Sequence, residues 1–163
     1  LQMRNRLREF LIAASRQSRS EMRIIMHIKH FDTLPEDAVF IRKEVFVKEQ
    51  GFKNEFDEKD NEAHFLVGYE CNKPVATCRI FYDTAKNIYI FGRIAVLKPY
   101  RGMGLGSLLL TEAQSYVTAK NAKKIGISAQ VRAAGFYETL GFVRQGEEYL
   151  DENCPHIYME KTL

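Results

Sequence analysis

The stretch VLKPYRGMGLGSLLL, residues 96–110, decides how this sequence folds. It places Gly102, Gly104 and Gly106 at alternate positions, between a β-rich run and a leucine-rich run that starts at Leu105. A glycine inside a helix costs up to about 1 kcal/mol relative to alanine, so three of them have no use within a regular helix. The pattern therefore predicts a strand, a glycine loop and the first turn of a long helix.

The segments on either side of this loop predict an α+β fold. Turn residues separate three β-rich runs upstream of it, which is typical of an antiparallel meander. The predicted elements are, in order, strand 22–31, a helix from Pro35 through 38–50, strands 64–70, 75–82 and 88–96, the helix from Leu105, strand 123–129, helix 131–142, and strands in FVRQGEEYL and HIYMEK. This β-α-βββ-α-β-α-ββ order predicts a mixed, mostly antiparallel sheet flanked by helices.

The composition predicts one globular domain preceded by a basic extension. Residues 1–30 carry seven basic and two acidic residues, whereas the remaining chain carries 17 basic and 19 acidic ones. We therefore expect residues 1–22 to be an appended helix or an artificial extension, with a membrane-surface or partner-binding helix as the alternative, and residues 23–163 to form the domain. A nucleic-acid-binding domain is basic over its working face, so we expect no nucleic-acid partner.

The chain also lacks the patterns of a membrane or metal protein. No apolar run approaches the roughly 18 residues that span a bilayer, so no integral membrane contact is expected. The three cysteines, Cys71, Cys78 and Cys154, show no metal-ligand spacing, so no metal site is expected. Scattered cysteines suit a reducing compartment, which predicts a cytoplasmic protein.

Residues 101–107 match neither of two common phosphate-binding loops. A P-loop requires Gly-Lys-Ser/Thr, and this loop has no lysine after Gly106. A dinucleotide fingerprint requires a third glycine where Ser107 stands and opens a βα unit, whereas a meander precedes this loop. The loop is then either a tight strand-to-helix connection without a ligand or a general anion cradle, in which free backbone N–H groups and a helix N-terminus hold a phosphate beside Arg101; three glycines favour the cradle.

Two ordered motifs resemble those of the GNAT family of N-acetyltransferases. Arg101-x-x-Gly104-x-Gly106 resembles the acyl-CoA pyrophosphate motif of that family, and Ala133, Phe136, Tyr137 and 140–142 resemble its A-x-x-F/L-Y-x-x-x-G-F signature. The order of elements from residue 23 onward resembles the same fold. The resemblance implies the GNAT acyl-CoA N-acyltransferase fold, an acetyl-CoA co-substrate and no metal.

Further segments resemble a bacterial subgroup of this family that shares a VF-V-x-E-Q stretch. They are VFVKEQGF (45–52), HFLV (64–67), the AQ pair at 129–130 and CPHIYM (154–159). Many family members carry Asn seven residues before the tyrosine, where this chain has Gln130. The resemblance implies a cofactor-binding set of Ile94, Ala95, Val96, Arg101, Gly102, Met103, Gly104, Leu105, Gly106, Ser107, Gln130, Ala133 and Phe136.

The resemblance also implies catalytic roles for a few side chains. Tyr137 is the candidate general acid for the leaving CoA sulfur, against the alternative that it only packs in its helix. No Asp or Glu lies on strand 88–96, so the general base is left open among Glu49, His64, His156 and a water relay. We select Tyr137, Glu49 and His156 as the catalytic set. Cys154 is a further candidate for the acceptor side.

The expected activity is transfer of an acetyl group from acetyl-CoA to a primary amine of a small molecule or peptide. The acidic segment 55–62 either attracts a cationic amine or is a solvated loop. Two alternatives remain: an acyl-homoserine-lactone-synthase-like acyltransferase, and a non-catalytic acyl-CoA-binding regulatory module. A homodimer is left open.

Overall fold

One eight-stranded sheet organises the chain. The structure, a computed structural model, describes residues 8–11 and 25–163. The strands are β1 Arg8–Leu11, β2 Ile25–Phe31, β3 His64–Glu70, β4 Lys73–Asp83, β5 Ile88–Val96, β6 Lys124–Gln130, β7 Val143–Asp151 and β8 Cys154–Thr162, and the α-helices are α1 Glu36–Arg42, α2 Leu105–Thr118 and α3 Ala134–Thr139. The sheet order is β1-β2-β3-β4-β5-β6-β8-β7. Every neighbouring pair is antiparallel except β5 and β6.

Helices cover both faces of this sheet. Leu66 belongs to a core cluster with α2 and α3, whereas its neighbour Val67 packs with α1. Successive residues of a strand point to opposite faces, so α1 lies on one face and α2 with α3 on the other. The α2 side holds the larger core, built on Leu105, Leu109 and Val117, all fully buried.

The predicted α+β fold and order of elements are confirmed over the described part of the domain. Strands 64–70 and 88–96 have the predicted bounds. The helix predicted over 131–142 is shorter, because only Ala134–Thr139 is α-helical and a 3₁₀ turn, Val131–Ala133, precedes it. Of the predicted extension 1–22, the structure describes only 8–11, a strand paired with β2; the rest lies outside the described residues.

The helix that starts at α1 changes its winding before it ends. Lys43–Glu49 continues α1 as a π-helical turn, and the backbone N–H of Gln50 donates to the carbonyl of Val45, five residues back. Val45 and Phe46 are buried against the sheet face that carries Ala95. Such wide turns are frequent at functional sites.

No helix in the described part of the chain is long and apolar enough to cross a bilayer.

β5 and β6 form the only parallel pair among the described strands, and their ladder is the shortest between two long strands. β5 and β6 are joined through Tyr89–Phe91 and Ile125–Ile127 alone. Beyond Phe91, Arg93 and Ile94 form a bulge opposite the single residue Cys78 of β4, and Arg93 adopts a φ of 51°. A bulge bends its strand, so β5 diverges from β6 after Phe91 and leaves a cleft in the sheet.

Candidate active site

The cleft between β5 and β6 opens into a groove of about 1460 Å³. Its wall combines the end of the π-helical turn, the β5 bulge, the end of β6, α3 and the β7–β8 hairpin. All three residues of the predicted catalytic set, Tyr137, Glu49 and His156, line this groove. Four residues of the predicted cofactor-binding set do so as well, namely Ile94, Arg101, Gln130 and Ala133.

The glycine loop leaves backbone N–H groups open at the start of α2. Gly102 and Gly104 both adopt a φ of 76°, a conformation that side chains other than glycine rarely take. A Cβ at Gly102 would meet no atom within 4 Å, so the loop is open on that side. The first intrahelical bond runs from the N–H of Leu108 to the carbonyl of Gly104, and no side chain caps the helix. The N–H groups of 105–107 are therefore available to a ligand.

The rest of this loop is fixed by packing. Leu105 is buried in the core, while Met103 is exposed. A Cβ on Gly106 would lie 3.4 Å from the ring of Phe136, so α3 packs closely over the first turn of α2. Phe136 itself is partly exposed beside this turn.

The end of β5 offers a free edge to the groove. Ala95 and Val96 pair with Thr77 and Ala76 of β4 on one side. On the other side, the β5–β6 ladder stops at Phe91, and no described strand pairs with 92–96. An unpaired strand edge can hydrogen-bond an extended ligand as a further strand would.

Arg101 is held by an ion pair across the mouth of the groove. Its Nη1 and Nη2 donate to Oε1 and Oε2 of Glu49 at 2.7 and 2.8 Å, and its Nε donates to the Val96 carbonyl at 2.9 Å. The hydrogen bond from Arg101 lowers the pKa of Glu49. Glu49 is therefore a carboxylate with both oxygens engaged.

Gln130 is held in a similar way from the other strand. Its Nε2 donates to Oε1 of Gln50 at 2.7 Å, and its Oε1 accepts from Nε of Arg132 at 2.8 Å. Two neighbouring residues, Glu49 and Gln50, thus bond to groups on opposite sides of the cleft. The motif VFVKEQGF had singled out this pair, but spacing along the chain gives no partner for either residue.

Tyr137 is buried with its hydroxyl unengaged. It is 9% exposed, and its ring packs edge-on against Phe136 and Phe142 at centroid distances of 5.1 and 5.9 Å. No group in the described residues hydrogen-bonds to its hydroxyl. Burial raises the pKa of Tyr137, so the phenol stays protonated at neutral pH.

His156 has a defined tautomer. Its Nδ1 lies 2.8 Å from the carbonyl oxygen of Cys154, which can only accept, so Nδ1 carries the proton. In the neutral ring Nε2 is then an unprotonated acceptor, and no described residue bonds to it. The side chain is 6% exposed and lies between Phe52 and Tyr149. The partner of His156 is thus the carbonyl of Cys154, and the Cys154 thiol is not bonded to this histidine.

The other histidine candidate, His64, lies outside the groove lining. Its Nδ1 contacts Asp32 at 2.9 Å and its Nε2 contacts Nδ1 of His30 at 2.9 Å. The ring also stacks on Tyr116 at 4.0 Å, and His30 continues the chain to Glu112. Both nitrogens of His64 are therefore engaged in a bonded chain between β2, β3 and α2.

A network of three arginines and three acids fixes the loop behind one groove wall; it consists of Arg42, Arg79, Arg93, Glu55, Asp57 and Asp60. Arg42 is fully buried, and it donates to Glu55 at 2.7 Å and to Asp60 at 2.7 Å. Arg93, on the β5 bulge, donates to the Glu55 carbonyl at 3.1 and 3.0 Å. The acids that the sequence placed in segment 55–62 are thus largely neutralised by arginines.

Carboxylates without such partners lie at the hairpin end of the groove. Glu148 and Asp151 line it, and neither carries a side-chain hydrogen bond to a described residue. Glu152 instead accepts from the backbone N–H groups of Lys53 and Asn54, both at 2.7 Å. This acidic hairpin is not among the site residues predicted from the sequence, although GEEYLDENC (146–154) contains four acids. Among the described residues, no group of three His, Cys, Asp or Glu side chains is placed to hold a metal ion.

Comparisons with known proteins agree with this architecture. The model of the acetyltransferase (GNAT) domain matches residues 31–163. YjcF, an uncharacterized N-acetyltransferase of Bacillus subtilis, is 34% identical over 128 residues. The match covers 77% of this chain and 90% of YjcF. A crystal structure of a candidate N-acetyltransferase from Lactobacillus plantarum is 31% identical, covers 85% of this chain and 98% of its own, and superposes with a TM-score of 0.77.

A more distant structure shares the fold alone. A CoA-dependent acyl-homoserine lactone synthase, BjaI, is 17% identical with a TM-score of 0.66, over 78% of this chain and 76% of its own. The family model, by contrast, covers most of this chain, including the glycine loop, Tyr137 and His156. The chain therefore belongs to the GNAT acetyltransferase family.

Proposed function

We propose that the protein transfers an acetyl group from acetyl-CoA directly to a primary amine of a small molecule or peptide. The observation that carries the proposal is that Arg101, residues 92–94 of the free β5 edge, Tyr137 and His156 all line one groove. A donor site, a proton donor and a proton acceptor are what direct acyl transfer requires. Membership of an acetyltransferase family supports the reaction class.

The donor side fits the pyrophosphate and pantetheine of CoA. The N–H groups of 105–107, the helix N-terminus and Arg101 supply donors and positive charge for the two phosphates. The open space at Gly102 gives room for a phosphate. The edge at Ile94, Ala95 and Val96 supports an amide-bearing arm that pairs as a strand does. Gln130, Ala133 and Phe136 complete the proposed donor site, together with 102–107.

The chemistry assigns one proton step to each of two side chains. The cationic amine first loses one proton to water; its neutral nitrogen then attacks the thioester carbon, a C–N bond forms and the C–S bond breaks. Nε2 of His156 accepts the proton that the amine loses. The hydroxyl of Tyr137, protonated and without another partner, donates a proton to the leaving sulfur. The products are an N-acetyl amine and the CoA thiol.

The acceptor proposed for this groove is a cationic amine. Glu148 and Asp151 place unpaired negative charge at the hairpin end, which raises the local concentration of a cation. Segment 55–62 does not take that role in this proposal, since arginines hold three of its acids. We further propose a cytoplasmic location, which the free thiols of Cys71, Cys78 and Cys154 support.

A thiol-release assay with acetyl-CoA and a panel of amines tests this function. We expect turnover with at least one amine, and a product whose mass increases by one acetyl group. Tyr137→Phe keeps the buried ring but removes the hydroxyl, so kcat should fall by roughly 10²–10⁴-fold while CoA affinity stays within a factor of two. Unchanged thiol release by a variant that still binds CoA would contradict the role of Tyr137.

The same assay separates the alternatives. Turnover only with acyl carrier protein and S-adenosylmethionine would indicate a homoserine-lactone-type synthase. CoA binding without turnover of any amine would indicate a regulatory module. His156→Gln is the companion variant for the base, and we expect it to lower kcat by at least ten-fold with little effect on CoA affinity.

A further inference from the structure

Two consecutive side chains reach both sides of the open cleft from a single helix end. Glu49 bonds to Arg101, which follows β5, and Gln50 bonds to Gln130, which ends β6. The β-ladder between these two strands stops several residues earlier, at Phe91. Side chains from the helix therefore join the two strands where the backbone no longer does.

The winding of the helix places both residues at this point. The π-helical turn Lys43–Glu49 is anchored by Val45 and Phe46, which are buried beside Ala95 of β5. The backbone N–H of Gly51 then donates to the Val47 carbonyl at 3.0 Å and closes the turn. Glu49 and Gln50 thus project from a rigid end rather than from a mobile loop.

Glu49 orients Arg101 without consuming all its donors. A guanidinium has five N–H groups. Glu49 takes one from each terminal nitrogen and the Val96 carbonyl takes that of Nε, so two N–H groups remain free. A phosphate can therefore bind Arg101 while the ion pair stays in place. Bidentate pairing also fixes the plane of the guanidinium, which a single contact does not.

The ion pair adds little to folding stability. The side chains of Arg101 and Glu49 are 38% and 36% exposed, and ion pairs this exposed to water are strongly screened. As an acceptor of two short bonds from an arginine, Glu49 is also a poor proton acceptor for an amine. What the arrangement does provide is a fixed direction for Arg101 and Gln130.

We infer that Glu49 and Gln50 are positioning residues that, from the end of the π-helical turn, hold Arg101 and Gln130 in place for the acyl-CoA donor. The inference rests on the proposed function, because it takes the donor to be an acyl-CoA in the cleft. It assigns a role to the EQ pair of VFVKEQGF that is distinct from proton transfer.

Calorimetric titration of the whole protein with CoA tests this role without knowledge of the amine. Glu49→Gln should weaken CoA binding about five- to ten-fold, because the guanidinium loses one of the two bonds to Glu49 that fix its plane. Gln50→Ala should weaken it about two- to three-fold through Gln130. Glu44→Gln is the matched control on the same helix, since Glu44 pairs only with Lys48 among the described residues, and we expect unchanged affinity.

A double-mutant cycle with Arg101 distinguishes positioning from a general structural effect. In the Arg101→Gln background, Glu49→Gln should change CoA affinity by less than two-fold, since its partner is already absent. Steady-state kinetics with the best amine of the panel should show a raised KM for acetyl-CoA, a kcat within three-fold, and an unchanged pH profile of kcat.

Each contrary result has a definite meaning. Loss of kcat by 100-fold or more with unchanged CoA affinity would make Glu49 a general base and overturn the inference. Tighter CoA binding by Glu49→Gln would mean that Glu49 competes with the phosphates, and it would overturn the inference too. If the unsubstituted protein binds no CoA, the proposed function fails and the inference with it; if it binds CoA but Glu49→Gln binds equally well, only the inference fails.

Discussion

Two acidic segments border the groove: the inward-facing carboxylates of one are paired with arginines, and those of the other are not. In segment 55–60, each inward-facing carboxylate is bonded to an arginine. Asp60 accepts hydrogen bonds from two of them, Arg42 and Arg79. In the hairpin, Glu148 and Asp151 face the groove without such partners. Paired buried charges fix a wall, because separating them leaves an uncompensated charge. Unpaired charges at a solvent-filled groove are available to a ligand.

Breaking the paired segment should give the largest effect on stability. Arg42→Ala leaves Glu55 and Asp60 buried without their shared donor, so we expect a loss of about 3–5 kcal/mol in the free energy of unfolding. Urea denaturation followed by circular dichroism measures it. Arg144→Ala is the control, since Arg144 pairs with Glu138 at the surface and should change stability by less than about 1 kcal/mol. Equal losses in both variants would refute the distinction.

Protonation of Asp60 in acid should weaken the same network, by less than Arg42→Ala does because that variant removes a donor from both Glu55 and Asp60. Burial raises the pKa of Asp60, but hydrogen bonds from Arg42 and Arg79 lower it further, so the net pKa lies below the ordinary 3.8. A lowered acid pKa gives stability that is present above pH 3.8 and is lost as the pH falls through the folded-state value. Asp60→Asn should therefore flatten the decline of stability below pH 3.8. An unchanged slope in urea titrations at several pH values would contradict this.

Substitutions at two glycines distinguish an effect on the free energy of unfolding from an effect on CoA binding. Gly102 and Gly146 have φ values of 76° and 71°, and a Cβ at either would meet no atom within 4 Å. Alanine at each position should cost about 1–2 kcal/mol of stability, the penalty of a left-handed conformation. Only Gly102→Ala should also weaken CoA binding, by about ten-fold in calorimetry, because its Cβ enters the phosphate cradle. Equal CoA affinities would remove the cradle from the proposal.

The smallest effect concerns the unpaired segment. The double variant Glu148→Gln with Asp151→Asn should raise the KM for a cationic amine about three- to five-fold and leave kcat and the KM for acetyl-CoA unchanged. Because the two carboxylates are exposed, added salt should reduce this difference between variant and parent. A neutral amine is the control substrate. A variant that leaves the KM of every cation unchanged would contradict the proposed role of the hairpin.

The sequence predicted the parts of this molecule that have a local signature. The glycine loop, the long helix from Leu105 and the meander 64–96 follow from periodicity and turn residues, and the structure confirms them. The groove contact of Tyr137 and His156 could be expected only from the resemblance to a family. Their polar partners could not be expected from spacing, because the pairing of Glu49 with Arg101 spans 52 positions.

Long-range pairing also explains what the sequence left undecided. Whether segment 55–62 is free or neutralised depends on Arg42, Arg79 and Arg93, which lie on three different elements. Gly92 lies next to the bulge that opens the cleft, but a glycine there does not show which residue adopts a positive φ. That residue is Arg93. Such features appear only when the strands are brought into register.

The three-residue junction of β5 and β6 makes the cleft a seam between two halves of the sheet. So short a ladder provides few backbone bonds, and the halves are joined instead by apolar packing of Phe91, Ile125 and Ile127 beneath Leu105 and Leu109. Hydrophobic packing weakens on cooling, whereas the fully paired strands on either side depend on it less. We therefore expect the stability of this seam to fall more on cooling than that of the fully paired strands on either side.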